Sequence, residues 1–404
     1  MLPLLDKALA QPDGAPLRYP TTQGPAVFFQ RPDHVAAVLA HPGLERASCP
    51  LTFGDGLVVS KDTPDSLRRR ILQRQFGKAF VERFMRHVEE VFFEHLESWD
   101  DQPRDVELNR LLRRMTLEAA SRSALGVTLG DQLDEVAHAI TLGIETLGRI
   151  AKIPLQEACH LPPNFSAEVR QAQETFDRFL YPLIARRRAE SPPGVDILSA
   201  LCQSELSDLQ VRDEAVSLLL AGNEAPAVTL EWSQIELALR PDLLQRLRDE
   251  AAQLPRPVEV ESVSALTVAK AVAEETMRLY PAVWQLSRVA LRDLEIGEEK
   301  VAAGTLVVVS PYTVQRDSAN WPDPERFDPE RFMGPDVSRG RNFVPFSGGL
   351  HVCLGRRPGT LEVTLLLALL ARYVEIDLDP GPYLPSSGLT LRPAAPLKAT
   401  VRRR

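Results

Sequence analysis

Cys353 lies in the segment Phe-Ser-Gly-Gly-Leu-His-Val-Cys-Leu-Gly, Phe346 to Gly355, just ahead of an apolar helical run that starts near Leu361. A cysteine between a glycine-rich turn and a helix start sits where backbone N–H groups converge. That setting favours the thiolate and equips the sulfur to bind a soft metal. Glycines such as Gly349 and Gly355 let a flat ligand approach the backbone closely. The other cysteines, at 49, 159 and 202, are far apart and form no C-x-x-C pair. Neither a disulfide framework nor a structural zinc site is therefore expected. Taken alone, Cys353 also fits a plain buried thiol beside a turn.

Two further groupings could do chemistry. Glu275 and Arg278 are three residues apart, which puts carboxylate and guanidinium on one face of a helix. That spacing by itself is the spacing of an ordinary surface ion pair. The stretch Ala-Gly-Asn-Glu-Ala-Pro-Ala-Val, 221–228, interrupts a long apolar helix with polar residues and a proline. Pro226 cannot donate to the Gly222 carbonyl, so a kink and a freed carbonyl are expected there.

The elements that must position these residues follow from periodicity. From about 65 to 250 apolar residues recur at three- and four-residue steps, the pattern of successive helices. The segment carrying 221–228 is apolar nearly all round from Leu218 to Ala221, as a helix through the centre of the molecule would be, and Pro241 ends it. Beyond about 285 short β-rich segments alternate with Gly and Pro. No Gly/Ser linker or internal repeat divides the chain, so residues 1–404 read as one large domain, mainly α with small β-sheets.

The pattern Phe346-x-x-Gly349-x-His351-x-Cys353-x-Gly355, the pair Glu275-x-x-Arg278, a Pro-Glu-Arg-Phe segment with Arg331, and Ala-Gly-Asn-Glu at 221–224 occur in one order over almost the whole chain. In this combination the chain resembles the cytochrome P450 superfamily, with a texture similar to soluble bacterial members of the carotenoid-hydroxylase type. The resemblance implies a long central helix over heme b (iron protoporphyrin IX), with Cys353 as the metal ligand. It implies cofactor contacts at Arg69, Arg288, His351, Phe346, Gly349, Gly355 and Ala221. Glu275, Arg278 and Arg331 become a buried structural network, and Gly222, Asn223 and Glu224 the oxygen-handling, catalytic positions.

Two departures stand out. Asp65 occupies a position where the family carries an aromatic or His, and an acid cannot help hold a propionate. Ala225 stands where the family carries Thr, whose hydroxyl helps deliver protons. A water held by the Gly222 carbonyl with Asn223 or Glu224, or a hydroxyl of the substrate, is the expected replacement; a degraded oxygen site is the alternative. Leu218, Ala225, Val283, Trp284, Leu286 and Leu389 are expected to line an apolar substrate pocket.

The function implied is a monooxygenase acting on a lipid-like molecule: a carotenoid, fatty acid or terpenoid. No flavin or nicotinamide fingerprint and no iron–sulfur cysteine cluster occurs, so a ferredoxin and ferredoxin reductase are the expected electron donors. They should dock on Arg68, Arg70, Arg339, Arg341, Arg356 and Arg357. A peroxide-driven peroxygenase and a non-catalytic heme sensor or ligand-binding protein are the rival readings. The formal net charge of -8 argues against nucleic acid as a partner. The chain has no run of about 18 apolar residues, and its start has no signal-peptide character, so no membrane anchor and a cytoplasmic location are expected.

Overall fold

The structure, a computed structural model, describes residues 14–21, 24–47, 53–61, 66–150, 163–190, 196–334 and 342–404. The chain opens with β1 (Leu17–Thr21), β2 (Gly24–Phe29), α1 (Pro32–Ala40) and β3 (Leu44–Arg46). There follow α2 (Leu67–Gln75), α3 (Lys78–Glu97), β4 (Arg104–Glu107), α4 (Leu108–Ala120), α5 (Leu133–Ile150), α6 (Pro163–Glu190), α7 (Ile197–Cys202), α8 (Asp208–Ala238), α9 (Pro241–Ala251), α10 (Val260–Ser264) and α11 (Thr267–Leu279). The last third holds β5 (Leu286–Ala290), β6 (Leu294–Ile296), β7 (Glu299–Val301), β8 (Leu306–Val309), α12 (Pro311–Val314) and α13 (Arg356–Tyr373). It ends with β9 (Val374–Leu378), β10 (Pro385–Ser387), β11 (Leu391–Pro393) and β12 (Lys398–Arg403).

Helix α8 begins at a capping box. The Ser207 side chain accepts from the Gln210 N–H, and the Gln210 side chain accepts from the Ser207 N–H, so two unsatisfied donors are met at once. Its 31 residues span about 46 Å, enough to cross the molecule. It is packed by α4, α6, α11 and α13, so it shows the all-round burial expected of it. Pro226 sits inside α8, which runs on from Asp208 to Ala238. At Gly222 the fit to α4 is tight, because an added Cβ would lie 2.7 Å from the Ala120 Cβ.

The sheets are small, as expected. The largest has the order β1-β2-β8-β5-β3, in which only β2 and β8 run parallel. One of its registers matters below: Arg46 of β3 faces Arg288 of β5. The β10–β11 hairpin is fastened to α8, where the Trp232 indole N–H donates to the Leu391 carbonyl at 2.8 Å. Helix α13 is buried from Leu361 to Ala371 and forms the floor of the main core.

Candidate functional site

The segment before α13 folds back on itself. The Cys353 N–H donates to the Phe346 carbonyl at 3.0 Å, closing a loop whose turn carries Ser347 and Gly349 at positive φ. Gly349 has a specific reason to be glycine: at φ +60° an added Cβ would sit 2.3 Å from the Leu39 carbonyl oxygen of α1. That close approach lets the loop dock on α1. Gly355 caps α13, and a Cβ there would lie 3.8 Å from the Cys353 sulfur. Cys353 is an exposed residue, yet burial of its thiol pushes the pKa up, opposed by the Gly355 backbone N–H and Arg69.

Cations gather around this loop. Arg69, buried in α2, donates to the Val352 carbonyl at 2.9 Å, one residue from the cysteine. Arg288 is 4% exposed, donates to the Ser287 carbonyl at 3.0 Å, and pairs with no carboxylate among the described residues. Burial and the neighbouring charge of Arg46 push its guanidinium down to about 10. His351 is half-buried and its Nδ1 lacks a hydrogen-bond partner. Burial, and then Arg288, Arg46 and Arg69, push it down to about 4. A corner with this much positive charge and an unsatisfied ring nitrogen is built for a bound anion. A thiol beside an anion-binding corner suits an iron porphyrin with two carboxylates, so the residues fit the group that the sequence implied. Arg46 was not foreseen, because only the strand register brings it here. Asp65 lies outside the described residues.

On α8, Ala221 is exposed and Leu218, Gly222 and Ala225 are half-buried, while the residues between them are buried. Steps of three and four residues put these four on one stripe, which borders an opening. Asn223 and Glu224 are not on it. The Asn223 amide donates to the Arg113 carbonyl at 3.1 Å, and its own carbonyl accepts from the Thr116 hydroxyl at 3.2 Å. Glu224 accepts from Arg113 at 2.7 Å, from Arg392 at 2.6 and 2.7 Å, and from the Thr390 hydroxyl at 2.6 Å. Burial alone raises a carboxyl, but Arg113 and Arg392 hold Glu224 below the ordinary carboxylate value. Both side chains therefore face α4 and the β10–β11 hairpin, not the open stripe. Glu231, two turns on, reaches the same Arg113 at 2.8 Å and is pushed up to about 7 by burial, with Arg113 opposing. Arg113, Glu231, Thr390 and Arg392 escaped the sequence reading, though the seven-residue step from Glu224 to Glu231 marked a shared helix face.

The apolar candidates divide. Val283 and Leu389 are exposed, at 41% and 42%, although most residues of their type are buried here. Leu286 is half-buried and packs on the sheet. Trp284 is 3% exposed, packs with Phe28, Val308 and Leu391, and donates to the Gly388 carbonyl at 3.1 Å, so it belongs to the core and not to a pocket wall.

The pair Glu275–Arg278 is fully buried and bidentate, at 2.7 and 2.8 Å. Arg278 also donates to the carbonyls of Gln315, Pro324 and Arg326, which occupies its remaining donors. Glu275 accepts the Asp328 N–H at 2.7 Å and meets Arg331 at 3.5 Å. The network thus holds the 323–331 segment against α11. Of the arginines expected to dock a partner, Arg70, Arg356 and Arg357 are exposed, as is Arg74. Arg68 instead turns inward to Glu214 and Asp55. Arg339 and Arg341 lie outside the described residues. No helix among the described residues is long and apolar enough to cross a membrane.

Comparison with known proteins agrees with this geometry. The family model for cytochrome P450 matches residues 9–398. The chain is 32% identical over 253 residues to the putative cytochrome P450 132 of Mycobacterium tuberculosis, covering 61% of this chain and 54% of that one. The match thus spans about half the length of that relative. It is 27% identical over 342 residues to the cyclooctat-9-en-7-ol 5-monooxygenase of Streptomyces melanosporofaciens, covering 81% and 74%. The cyclooctatin synthase of the same organism is 26% identical over 358 residues, covering 84% and 78%. Among solved structures, the heme domain of cytochrome P450DA has a TM-score of 0.83 at 22% identity, covering 100% of this chain and 93% of that one. That likeness shows the mainly helical fold.

Proposed function

Because the chain belongs to the cytochrome P450 family, a family of heme-thiolate oxidoreductases, we propose that it is a monooxygenase that inserts one oxygen atom into a C–H bond of an apolar, terpenoid-like molecule. The observation that carries this reading is the convergence of Arg69, Arg288 and His351 beside Cys353. Cys353 would hold the iron through its sulfur, and the Arg69 and Arg288 guanidiniums with the His351 ring would hold the cofactor's carboxylates. Heme b, when bound, supplies the oxygen chemistry. The small side chain of the exposed Ala221 would leave room on the open stripe of α8. Leu218, Ala225, Val283 and Leu389 would exclude water and hold an apolar substrate by burial.

Two relatives carry names tied to cyclooctatin, a terpenoid, which favours that class over fatty acids and carotenoids. One of them is named for an alcohol substrate. An alcohol would suit this chain, because its α8 stripe has no hydroxyl where Ala225 stands. Electrons would come from a separate ferredoxin and its reductase, with Arg70, Arg74, Arg356 and Arg357 as the cationic surface for an acidic partner.

The test begins with the purified, heme-loaded chain. Its reduced carbon monoxide complex should absorb as a thiolate complex, and Cys353→His should convert it to an imidazole-type spectrum. An imidazole-type spectrum of the unmodified chain would overturn the ligand assignment. Terpenoid alcohols should then shift the heme spectrum and be oxidised with ferredoxin, reductase and O2. Turnover with hydrogen peroxide alone would favour a peroxygenase, and no turnover under either regime a ligand-binding protein.

A further inference from the structure

The anion-binding corner has more positive charge than the family pattern supplies, and the excess comes from Arg46. In the antiparallel pair β3–β5, Arg46 and Arg288 are directly opposite one another. Opposite residues in such a pair share one face of the sheet, with Cβ atoms about 4.5–5.5 Å apart, and like charges so placed are destabilising. Arg69 adds its charge to the same corner, beside the His351 ring. An anion held between two arginines placed face to face would relieve their repulsion.

Arg46 also faces the other way. Its guanidinium donates to the Leu57 carbonyl at 2.7 Å and to the Val58 carbonyl. The backbone N–H groups of the same short segment are held by α8: Asp55 by Asp213 at 2.8 Å, Leu57 by Glu214 at 3.2 Å, Val58 by Ser217 at 3.4 Å. Ser217 directly precedes Leu218, the first residue of the open stripe. The 55–58 segment is thus stretched between the anion corner and the start of that stripe.

We propose that Arg46 is a third cation for the cofactor's carboxylates, beside Arg69 and Arg288, and that the same guanidinium fixes the 55–58 segment, so that cofactor retention and the order of that segment are coupled. This rests on the reading that the corner holds heme. Loss of heme from the loaded full-length chain to excess apomyoglobin tests it, together with hydrogen exchange of the Leu57 and Val58 amides. Wild type that takes up no heme would refute the underlying reading before any variant is made.

Given a loaded wild type, Arg46→Gln should release heme about tenfold faster and exchange both amides faster. Arg46→Lys keeps the charge but cannot reach two carbonyls in a fork. It should loosen the amides while releasing heme within about threefold of wild type. Two results would overturn the proposal: Arg46→Gln releasing heme at the wild-type rate, or Arg46→Lys releasing it as fast as Arg46→Gln, which would trace release to the loosened segment alone. If Arg46→Gln does not fold, the Arg46→Lys rate decides, since near-wild-type release with loose amides supports the charge role and fast release contradicts it.

Discussion

Arg392 donates to Glu224 through both Nε and a terminal nitrogen, at 2.6 and 2.7 Å, and so ties the β10–β11 hairpin to α8 three residues from the exposed Leu389. The Thr390 hydroxyl completes the tie, and the backbone around Leu389 passes within 3.7 Å of where a Cβ on Gly148 of α5 would be. Through these bonds Glu224 fastens the hairpin that carries Leu389 to α8. Glu224→Gln should cost about 3 kcal/mol in denaturant unfolding, because it leaves buried arginines short of charge. It should also weaken binding of an apolar ligand severalfold. A variant of unchanged stability and affinity, with slower turnover and a larger solvent isotope effect, would return Glu224 to proton delivery.

A second prediction concerns Arg278, whose donors all have partners on α11 or the 315–326 segment. Lysine carries a point charge and cannot serve a carboxylate and three carbonyls in that plane. Arg278→Lys should lose at least about 3 kcal/mol and most of its heme content, measured by unfolding and by pigment per chain. A stable, fully loaded Arg278→Lys that is merely slow would assign Arg278 to catalysis.

The motifs around Cys353 and Glu275–Arg278 were legible because their chemistry is local: a loop seven residues long and a pair one helical turn apart. The central helix was legible for a similar reason, since all-round apolarity is a property of one segment. What could not be read was everything set by packing between distant segments. Gly349 is glycine because of Leu39, Trp284 is core because of Phe28 and Val308, and Glu224 turns from the opening because of Arg113 and Arg392.

Glu362 in α13 gives a pH prediction. It is 1% exposed, its Oε1 has no hydrogen-bond partner, and burial pushes its carboxyl well above the ordinary value. The native chain keeps it protonated, while the unfolded chain ionises it above about pH 4.3. Its contribution is therefore fully present below that pH and is lost as pH rises towards the folded pKa. Glu362→Met, similar in volume and without charge, should be more stable than wild type at pH 8 by about 1–3 kcal/mol, with the difference shrinking towards pH 5. Urea unfolding at the two pH values checks this, and parallel wild-type and variant curves would show that Glu362 is ionised in the fold.

Partner docking is tested at α13. Arg356 and Arg357 are exposed at its start, as are Arg70 and Arg74 on α2. Arg356→Glu should slow reduction by an acidic ferredoxin about tenfold at low salt, with the gap narrowing as salt screens both chains. Stopped-flow reduction across ionic strengths measures it; rates independent of salt would exclude an electrostatic dock on this face.

The missing hydroxyl at Ala225 can be tested through the substrate. Ala225 is on the open stripe of α8, and the next hydroxyl on that side, Thr229, is already committed to the Ala225 carbonyl at 2.9 Å. With Asn223 and Glu224 turned away, a hydroxyl must come from a bound water at the Gly222 carbonyl or from the substrate itself. Ala225→Thr supplies one from the protein. If the substrate brings its own alcohol, Thr should change product per electron pair little with the alcohol, and should raise it severalfold with the deoxygenated analogue. Comparing two chains with two substrates isolates the coupling between the two hydroxyls, as a double-mutant cycle does for two side chains. Equal gains with both substrates would mean that the substrate alcohol plays no part, and no gain with either would point to the water at Gly222.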